Sequence, residues 1–179
     1  MLSRSNWLIL GLAVVAAAAG GYIEHRSQPP APRDSALIGQ ALPAISLSNL
    51  DGKRHPLSDY RGHRVLLNFW ASWCGPCLKE MPALNQAQEK FGEHAPIVIG
   101  IAMEEAAPAR AFLAAYPVNY PILLGNMTPP STSLQVGNSR EMLPYSVLID
   151  ADGRILATHA GALSMSLLEQ WLTPAQITP

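Results

Sequence analysis

A buried strand that leads directly into a Cys-x-x-Cys motif constrains this chain more than any other feature. Residues 65–70 read Val-Leu-Leu-Asn-Phe-Trp, which is the composition of a strand inside a sheet. A short turn follows, and then the segment Trp73-Cys74-Gly75-Pro76-Cys77 opens a helix. Gly75 permits a tight turn, and Pro76 loses no hydrogen bond in the first helical turn. The two thiols lie about one helical turn apart, so they can close a disulfide.

The start of a helix suits thiol chemistry. Its first backbone N–H groups are free and its dipole is positive, so a thiolate at Cys74 is stabilised there. Cys74 and Cys77 therefore predict a reversible two-electron switch. They are the only cysteines of the chain, so we expect a redox-active disulfide and no separate cofactor.

Two other readings of the motif are a zinc half-site and a structural disulfide. Zinc takes four protein ligands, or three and a water, yet none of the five histidines pairs with another at metal-ligand spacing. A disulfide that closes so short a loop constrains little chain. We therefore predict that no metal is bound.

The N-terminus predicts export. No side chain from Ser5 to Ile23 is charged, a length that can cross a bilayer as a helix. Arg4 precedes this segment and biases the front to the cytoplasmic side. The alternative is a cleaved signal peptide, because Ala17-Ala18-Ala19 resembles a cleavage site. In both cases the rest of the chain faces an oxidising compartment, where disulfides persist.

Four parts follow along the chain. Residues 1–25 form the membrane anchor or signal peptide, and 26–38 a Pro-rich linker. Residues 39–173 form one domain, and 174–179 a tail.

With a net charge of −1 and 14% charged residues, the chain has no basic surface for a nucleic-acid partner. We expect a monomer.

The segment from Asn68 to Pro82, Asn-Phe-Trp-Ala-Ser-Trp-Cys-Gly-Pro-Cys-Leu-Lys-Glu-Met-Pro, resembles the active site of the TlpA/ResA/CcmG group of membrane-tethered thiol-disulfide oxidoreductases. The resemblance implies an α/β thioredoxin-like fold with a mixed central sheet. It also implies an N-terminal β-hairpin around Asp51-Gly52 and a TlpA-type strand–helix insertion over residues 97–124. Peroxiredoxins have a similar lead-in, but their reactive cysteine is not normally set in Trp-Cys-Gly-Pro-Cys.

Trp73, Gly75, Pro76 and Glu80 are the supporting residues that the motif predicts. Glu80 is either a surface charge or a carboxylate on the face of Cys77, three residues earlier, where it can accept that thiol's proton. The group often carries an acid here. Classical thioredoxin has a buried aspartate at the position of Asn68, and an asparagine cannot accept a proton, so the proton acceptor must be Glu80 or a water.

The second segment that carries the resemblance is Leu143-Pro144 before the strand Tyr145–Asp150. It is similar to the cis-proline segment that faces the cysteine pair in thioredoxin folds. The resemblance implies that the backbone of Leu143 binds an extended substrate segment as an added strand.

These observations predict an exported enzyme that reduces disulfides of periplasmic proteins, with cytochrome c maturation as a candidate role. Cys74 attacks and Cys77 resolves the mixed disulfide. The resemblance implies that a membrane carrier of the DsbD/CcdA kind returns the electrons. Two alternatives stay open: a copper-handling protein with the thiols as ligands, and an oxidant that donates disulfides.

Overall fold

The computed structural model describes residues 37–92 and 97–173, which form one twisted sheet with helices packed on it. The predicted membrane segment 1–25, most of the linker and the tail 174–179 lie outside these residues. No helix in the described ranges is long and apolar enough to cross a bilayer. The strands are β1 (Ser46–Asn49), β2 (Arg54–Pro56), β3 (Val65–Trp70), β4 (Ile97–Ala102), β5 (Ile122–Leu124), β6 (Tyr145–Ile149) and β7 (Ile155–Ala160). The helices are α1 (Gly75–Phe91), α2 (Ala106–Ala115) and α3 (Met165–Leu172), and 3₁₀ turns span Leu57–Tyr60 and Leu134–Val136.

The predicted mixed sheet is confirmed. Its seven described strands have the order β2-β1-β5-β4-β3-β6-β7. The central strand β3 is buried along its whole length, and it runs parallel to β4 and antiparallel to β6. Apolar side chains point from β3 to both faces, because the strand is covered on both sides. The active-site segment therefore starts from a strand that is buried along its whole length.

The predicted N-terminal hairpin and the insertion are also present. β1 pairs antiparallel with β2, and the Asn49 side chain accepts hydrogen bonds from the N–H groups of Asp51 and Lys53 in the turn. The insertion consists of α2 and β5 between β4 and β6. β5 is parallel to β4 and antiparallel to β1, so it joins the hairpin to the rest of the sheet.

Besides a cluster around the two cysteines, two apolar clusters fill the space on the faces of the sheet. One contains Leu66 of β3, Leu84 and Ala87 of α1, and Leu168 and Trp171 of α3. The spacing of the apolar residues Ala83, Leu84, Ala87 and Phe91 predicts this inner face of α1. The prediction is confirmed, with Ala83 and Phe91 partly buried. The other cluster lies under the N-terminal segment and the 3₁₀ turns and includes residues such as Leu57, Leu67, Val136 and Val147.

The start of α3 differs in one detail from the sequence-based expectation. The sequence offers Ser164 or Ser166 as the residue that caps this helix, and the spacing of Ser166 and Glu169 predicts a capping box. Ser164 is confirmed as the cap, and the capping box is not formed. Ser164 has an extended backbone and is the N-cap, and its hydroxyl accepts a hydrogen bond from the Leu167 N–H at 3.2 Å. Ser166 already lies inside the helix, with its Oγ 3.0 Å from that of Ser164.

Gly100 makes room for two large rings beside the central strand. It lies opposite Asn68 in the pairing of β3 and β4. A Cβ at this position would lie 2.6 Å from Ile122 Cδ1 and 3.1 Å from both the Trp70 Nε1 and the Tyr120 ring. The absence of a side chain therefore allows Trp70 and Tyr120 to pack next to Asn68.

We predict that Gly100→Ala lowers the free energy of unfolding by about 1–3 kcal/mol, since the added methyl overpacks the core. Urea denaturation followed by tryptophan fluorescence measures the loss. Ile122→Val removes the nearest contact, so the cost of the double variant should be smaller than the sum of the single costs. Unchanged stability in Gly100→Ala would show that the rings do not fill this space.

Candidate active site

Cys74 and Cys77 are joined by a disulfide at the N-terminus of α1, with their Cα atoms 5.3 Å apart. Cys74 is the N-cap residue, and its Sγ accepts a hydrogen bond from the Cys77 N–H at 3.3 Å. Gly75 and Pro76 are the first two helical residues, where no intrahelical N–H bond is lost. The local geometry therefore directs a free helical N–H toward the sulfur of Cys74, as the sequence predicts.

The two sulfurs differ in what surrounds them. Cys77 is completely buried and packs with Met81 and Trp70, whereas Cys74 retains a small exposed area. Trp73, the residue before Cys74, is 66% exposed and is the most exposed large apolar side chain in the described ranges. Of the two cysteines, Cys74 is therefore the one with access to solvent.

Glu104 holds the turn that leads into Cys74. Its two carboxylate oxygens accept hydrogen bonds from the Ser72 N–H and the Ser72 hydroxyl, both at 2.7 Å. Sequence analysis missed Glu104. Its position was nevertheless a usable signal, because it closely follows β4, and the carboxyl ends of parallel neighbours such as β3 and β4 meet at one edge of the sheet.

Leu143 and Pro144 lie on the other side of the cysteine pair. The peptide bond between them is cis, as predicted. Leu143 packs against the cluster that contains Cys74 and Cys77, and the Pro144 carbonyl accepts a hydrogen bond from the Gly161 N–H at 2.8 Å. Neither the N–H nor the carbonyl of Leu143 is hydrogen-bonded within the described ranges. A backbone with free groups thus borders the disulfide.

Glu80 is buried, with 3% of its surface exposed, so its interpretation as a surface charge is wrong. Its Oε1 accepts a hydrogen bond from Asn68 Nδ2 at 2.8 Å, and its Oε2 accepts one from the Leu163 N–H at 2.7 Å. Burial raises the pKa of this carboxyl, and the two hydrogen bonds oppose that rise without cancelling it. Glu80 therefore has a higher proton affinity than an ordinary glutamate, which suits a proton acceptor.

Asn68 connects Glu80 to the sheet. Its Nδ2 also donates to the Ser146 hydroxyl of β6 at 3.1 Å. Its Oδ1 has no hydrogen-bond partner among the residues that the structure describes. The residue pattern identifies Asn68 only as a position that lacks an acid, because the pattern does not show how α1 packs over β3.

Tyr120 is a second group that sequence analysis did not identify. Its hydroxyl is buried without a partner in the described part of the chain. Burial, and then the negative charge of Glu80, raise the pKa of the Tyr120 hydroxyl. This hydroxyl therefore stays protonated and responds to the charge of Glu80.

Metal ligands are not clustered in the described ranges. No three His, Cys, Asp or Glu side chains come close enough there to hold a metal ion. The chemistry available at this end of the sheet consists of one disulfide and one buried carboxyl group.

Comparisons with known proteins agree with this geometry. The sequence profile of the AhpC/TSA family matches residues 38–158. A thiol-disulfide oxidoreductase ResA of Bacillus cereus is 33% identical over 150 residues, 83% of this chain and 83% of the relative. ResA of Bacillus subtilis (strain 168) is 29% identical over 172 residues, 94% of this chain and 92% of that protein.

A solved structure supports the same assignment. The crystal structure of a thiol:disulfide interchange protein from Chlorobium tepidum, assigned as DsbE, has a TM-score of 0.66 and 31% identity. The similarity covers 75% of this chain and 94% of that one, and it confirms the predicted thioredoxin-like fold. The chain has a Cys-x-x-Cys disulfide at the N-terminus of α1, and ResA proteins are similar to it over most of its length. It therefore belongs to the AhpC/TSA family and is a thiol-disulfide oxidoreductase of the ResA type.

Proposed function

We propose that this enzyme works in the reducing direction on disulfides of exported proteins. The observation that carries the proposal is the disulfide itself. It joins the only two cysteines of the chain, so no other thiol of this chain can exchange with it. A domain with a single, short-loop disulfide gains little stability from it. The pair is therefore better suited to exchange with other proteins than to holding this fold together.

The reaction begins at Cys74. Its thiolate attacks one sulfur of a substrate disulfide, so a Cys74–substrate S–S bond forms while the substrate S–S bond breaks. The released substrate thiolate takes a proton from water. Burial of Cys77 beneath the surface and the exposure of Trp73 support this order of events.

Cys77 completes the exchange. Its thiol gives its proton to Glu80, and the resulting thiolate attacks the Cys74 sulfur. The mixed disulfide breaks and the second substrate thiolate leaves. Two electrons have then passed to the substrate, and the Cys74–Cys77 disulfide remains. Support for Glu80 as the acceptor comes from its burial, its raised pKa and its place one helical turn after Cys77.

The substrate segment binds as an added strand beside Leu143 in this proposal. The unpaired N–H and carbonyl of Leu143 supply main-chain hydrogen bonds, and the exposed side chains of Trp73 and Met142 supply apolar contacts. Main-chain pairing tolerates many sequences, so it suits a substrate that presents an extended cysteine-containing segment.

We further propose that the domain faces the periplasm or the cell exterior, attached through residues 1–25 or released from them. A membrane thiol carrier of the DsbD/CcdA kind re-reduces it. The apolar run at the N-terminus supports the location. The resemblance to the TlpA/ResA/CcmG group supports cytochrome c maturation as the candidate role, with the haem-binding cysteines of the apoprotein as substrate.

The two cysteine variants should separate attack from resolution. Cys77→Ser should accumulate a mixed disulfide through Cys74, and Cys74→Ser should reduce a disulfide-bonded test peptide no faster than the buffer does. Mass spectrometry of non-reduced samples detects the adduct, and a thiol assay follows the peptide. Reduction of the peptide by Cys74→Ser would refute the proposed order of attack.

The direction of electron flow has its own test in living cells. Acid-quenched cells are alkylated with a mass-shifting thiol reagent, with and without the membrane reductant. We expect Cys74 and Cys77 to be mostly reduced and to become oxidised when the reductant is removed. A pair that is oxidised in both strains would instead indicate an oxidant. Stoichiometric Cu(I) on the thiols without turnover would indicate a copper-handling protein.

Glu80→Gln should slow the resolution of the mixed disulfide by about 10²-fold, the usual contribution of a positioned base. Only the ionised carboxylate accepts a proton, so the wild-type rate should rise with pH through the raised pKa of Glu80. The variant should lack this rise. Stopped-flow release of a fluorescent peptide thiol from the pre-formed mixed disulfide measures the rate. Glu89→Gln, which alters an exposed acid of the same helix, is the control, and an equal effect of both variants would exclude the base role.

A further inference from the structure

The two hydrogen-bond partners of Glu80 differ in what they can do. The Leu163 N–H at Oε2 belongs to the backbone and can only donate. The Asn68 side chain at Oε1 carries a donor and an acceptor on one carboxamide, and rotation about its last bond exchanges them. The Ser146 hydroxyl on the far side of Asn68 can also donate or accept.

In the structure, only the amide nitrogen of the Asn68 side chain forms hydrogen bonds within the described ranges. Nδ2 donates to both Glu80 Oε1 and Ser146 Oγ, while the buried Oδ1 is without a partner in the described ranges. This pattern matches an ionised Glu80, which accepts and cannot donate. A protonated Glu80 needs a different partner. Its Oε1 hydroxyl is a donor, so it requires a hydrogen-bond acceptor at the place where the Asn68 Nδ2 donor now lies.

We propose that Asn68 is a positioning residue for Glu80, which turns its carboxamide whenever Glu80 gains or loses a proton. With Glu80 ionised, Nδ2 donates to Oε1. With Glu80 protonated, the Oε1 hydroxyl donates to Oδ1, and the Ser146 hydroxyl reverses to donate to Oδ1 as well. Both states then have the same number of hydrogen bonds at this end of the carboxyl. The inference rests on the proposed function of Glu80 and deepens it.

Such an exchange matters because Glu80 is buried. A buried carboxyl with only fixed donors favours its charged form, and one with only fixed acceptors favours its neutral form. A proton acceptor that must take up a proton and release it in each cycle needs both forms to be reachable. Asn68 supplies a partner for each of them, whereas a leucine would supply none.

Few other ionisable groups lie around this network. Tyr120 precedes β5, and its hydroxyl stays protonated under the influence of Glu80. His159 of β7 is opposite Ser146 and shares its face of the sheet. The Lys90–Glu169 pair between α1 and α3 is more than half exposed. With Cys77 held in the disulfide, the titration of Glu80 can be followed without interference from a thiol.

The test is an NMR titration of the oxidised full-length chain in mild detergent. The carboxyl carbon of Glu80, identified by its absence in Glu80→Gln, gives the protonation midpoint. The side-chain amide of Asn68 is observed in the same samples. We expect the Asn68 amide protons to follow the Glu80 midpoint and to shift upfield at low pH, as they lose their acceptors. In Glu80→Gln they should not respond to pH, and in His159→Gln they should still follow Glu80.

Asn68→Leu provides a second measurement. Loss of the donor to the ionised carboxylate should move the Glu80 midpoint upward by roughly one pH unit. Asn85→Ala removes an amide elsewhere on α1, where Asn85 bonds Asn119 and the Pro117 carbonyl, and should leave the midpoint in place. In stopped-flow resolution, the pH profile of Asn68→Leu should move by the same amount as the midpoint.

Each negative result has a separate meaning. An Asn68 amide that does not respond to the titration of Glu80 in the wild type overturns the inference, even if Asn68→Leu fails to fold. An unchanged Glu80 midpoint in folded Asn68→Leu overturns it as well. If Glu80→Gln resolves mixed disulfides as fast as the wild type, the proposed base role fails instead, and the NMR result stands independently of that.

Discussion

Burial of β3 on both faces of the sheet is the constraint on which the active site depends. The strand has parallel and antiparallel neighbours and apolar clusters above and below, so its carboxyl end is fixed in position. The turn through Ser72 is then held by Glu104 from the end of β4. Cys74 consequently starts α1 at a fixed place, and the helix dipole and free N–H groups act on its sulfur.

The site is divided into an outer and an inner part, to which the proposed reaction assigns different steps. The outer part consists of Trp73, Cys74 and the unpaired backbone of Leu143, and in the proposed reaction it contacts the substrate protein. The inner part consists of Cys77, Glu80 and Asn68, and it is closed to solvent. Exchange between two proteins needs an accessible sulfur, while control of a proton needs a dry environment in which one carboxyl has an altered affinity. One helix serves both needs, because the first turn of α1 is exposed at Gly75 and Pro76 while the buried face of the helix carries Cys77 and Glu80.

The comparison of sequence and structure shows which physical signals are local. The strand β3, the hairpin at Asp51-Gly52 and the motif around Cys74 were predictable, because propensity, turn chemistry and spacing act over a few residues. The burial of Glu80 was not, since a helical glutamate is usually exposed. Its partners, Asn68 and the Leu163 N–H, are 12 and 83 residues away along the chain. Only the packing of α1 against the sheet and the segment before α3 brings them together.

A thermodynamic consequence follows from the burial of Glu80. Its pKa is raised in the folded protein, so the native state binds this proton more tightly than the unfolded chain does. The contribution is fully present below the ordinary pKa of a glutamate and is lost as the pH rises through the higher native value. At neutral pH the ionised carboxylate therefore opposes folding, and the apolar clusters on both faces of the sheet must offset it. The fold thus carries, in its own stability, the free energy that makes Glu80 a stronger base than a glutamate in water.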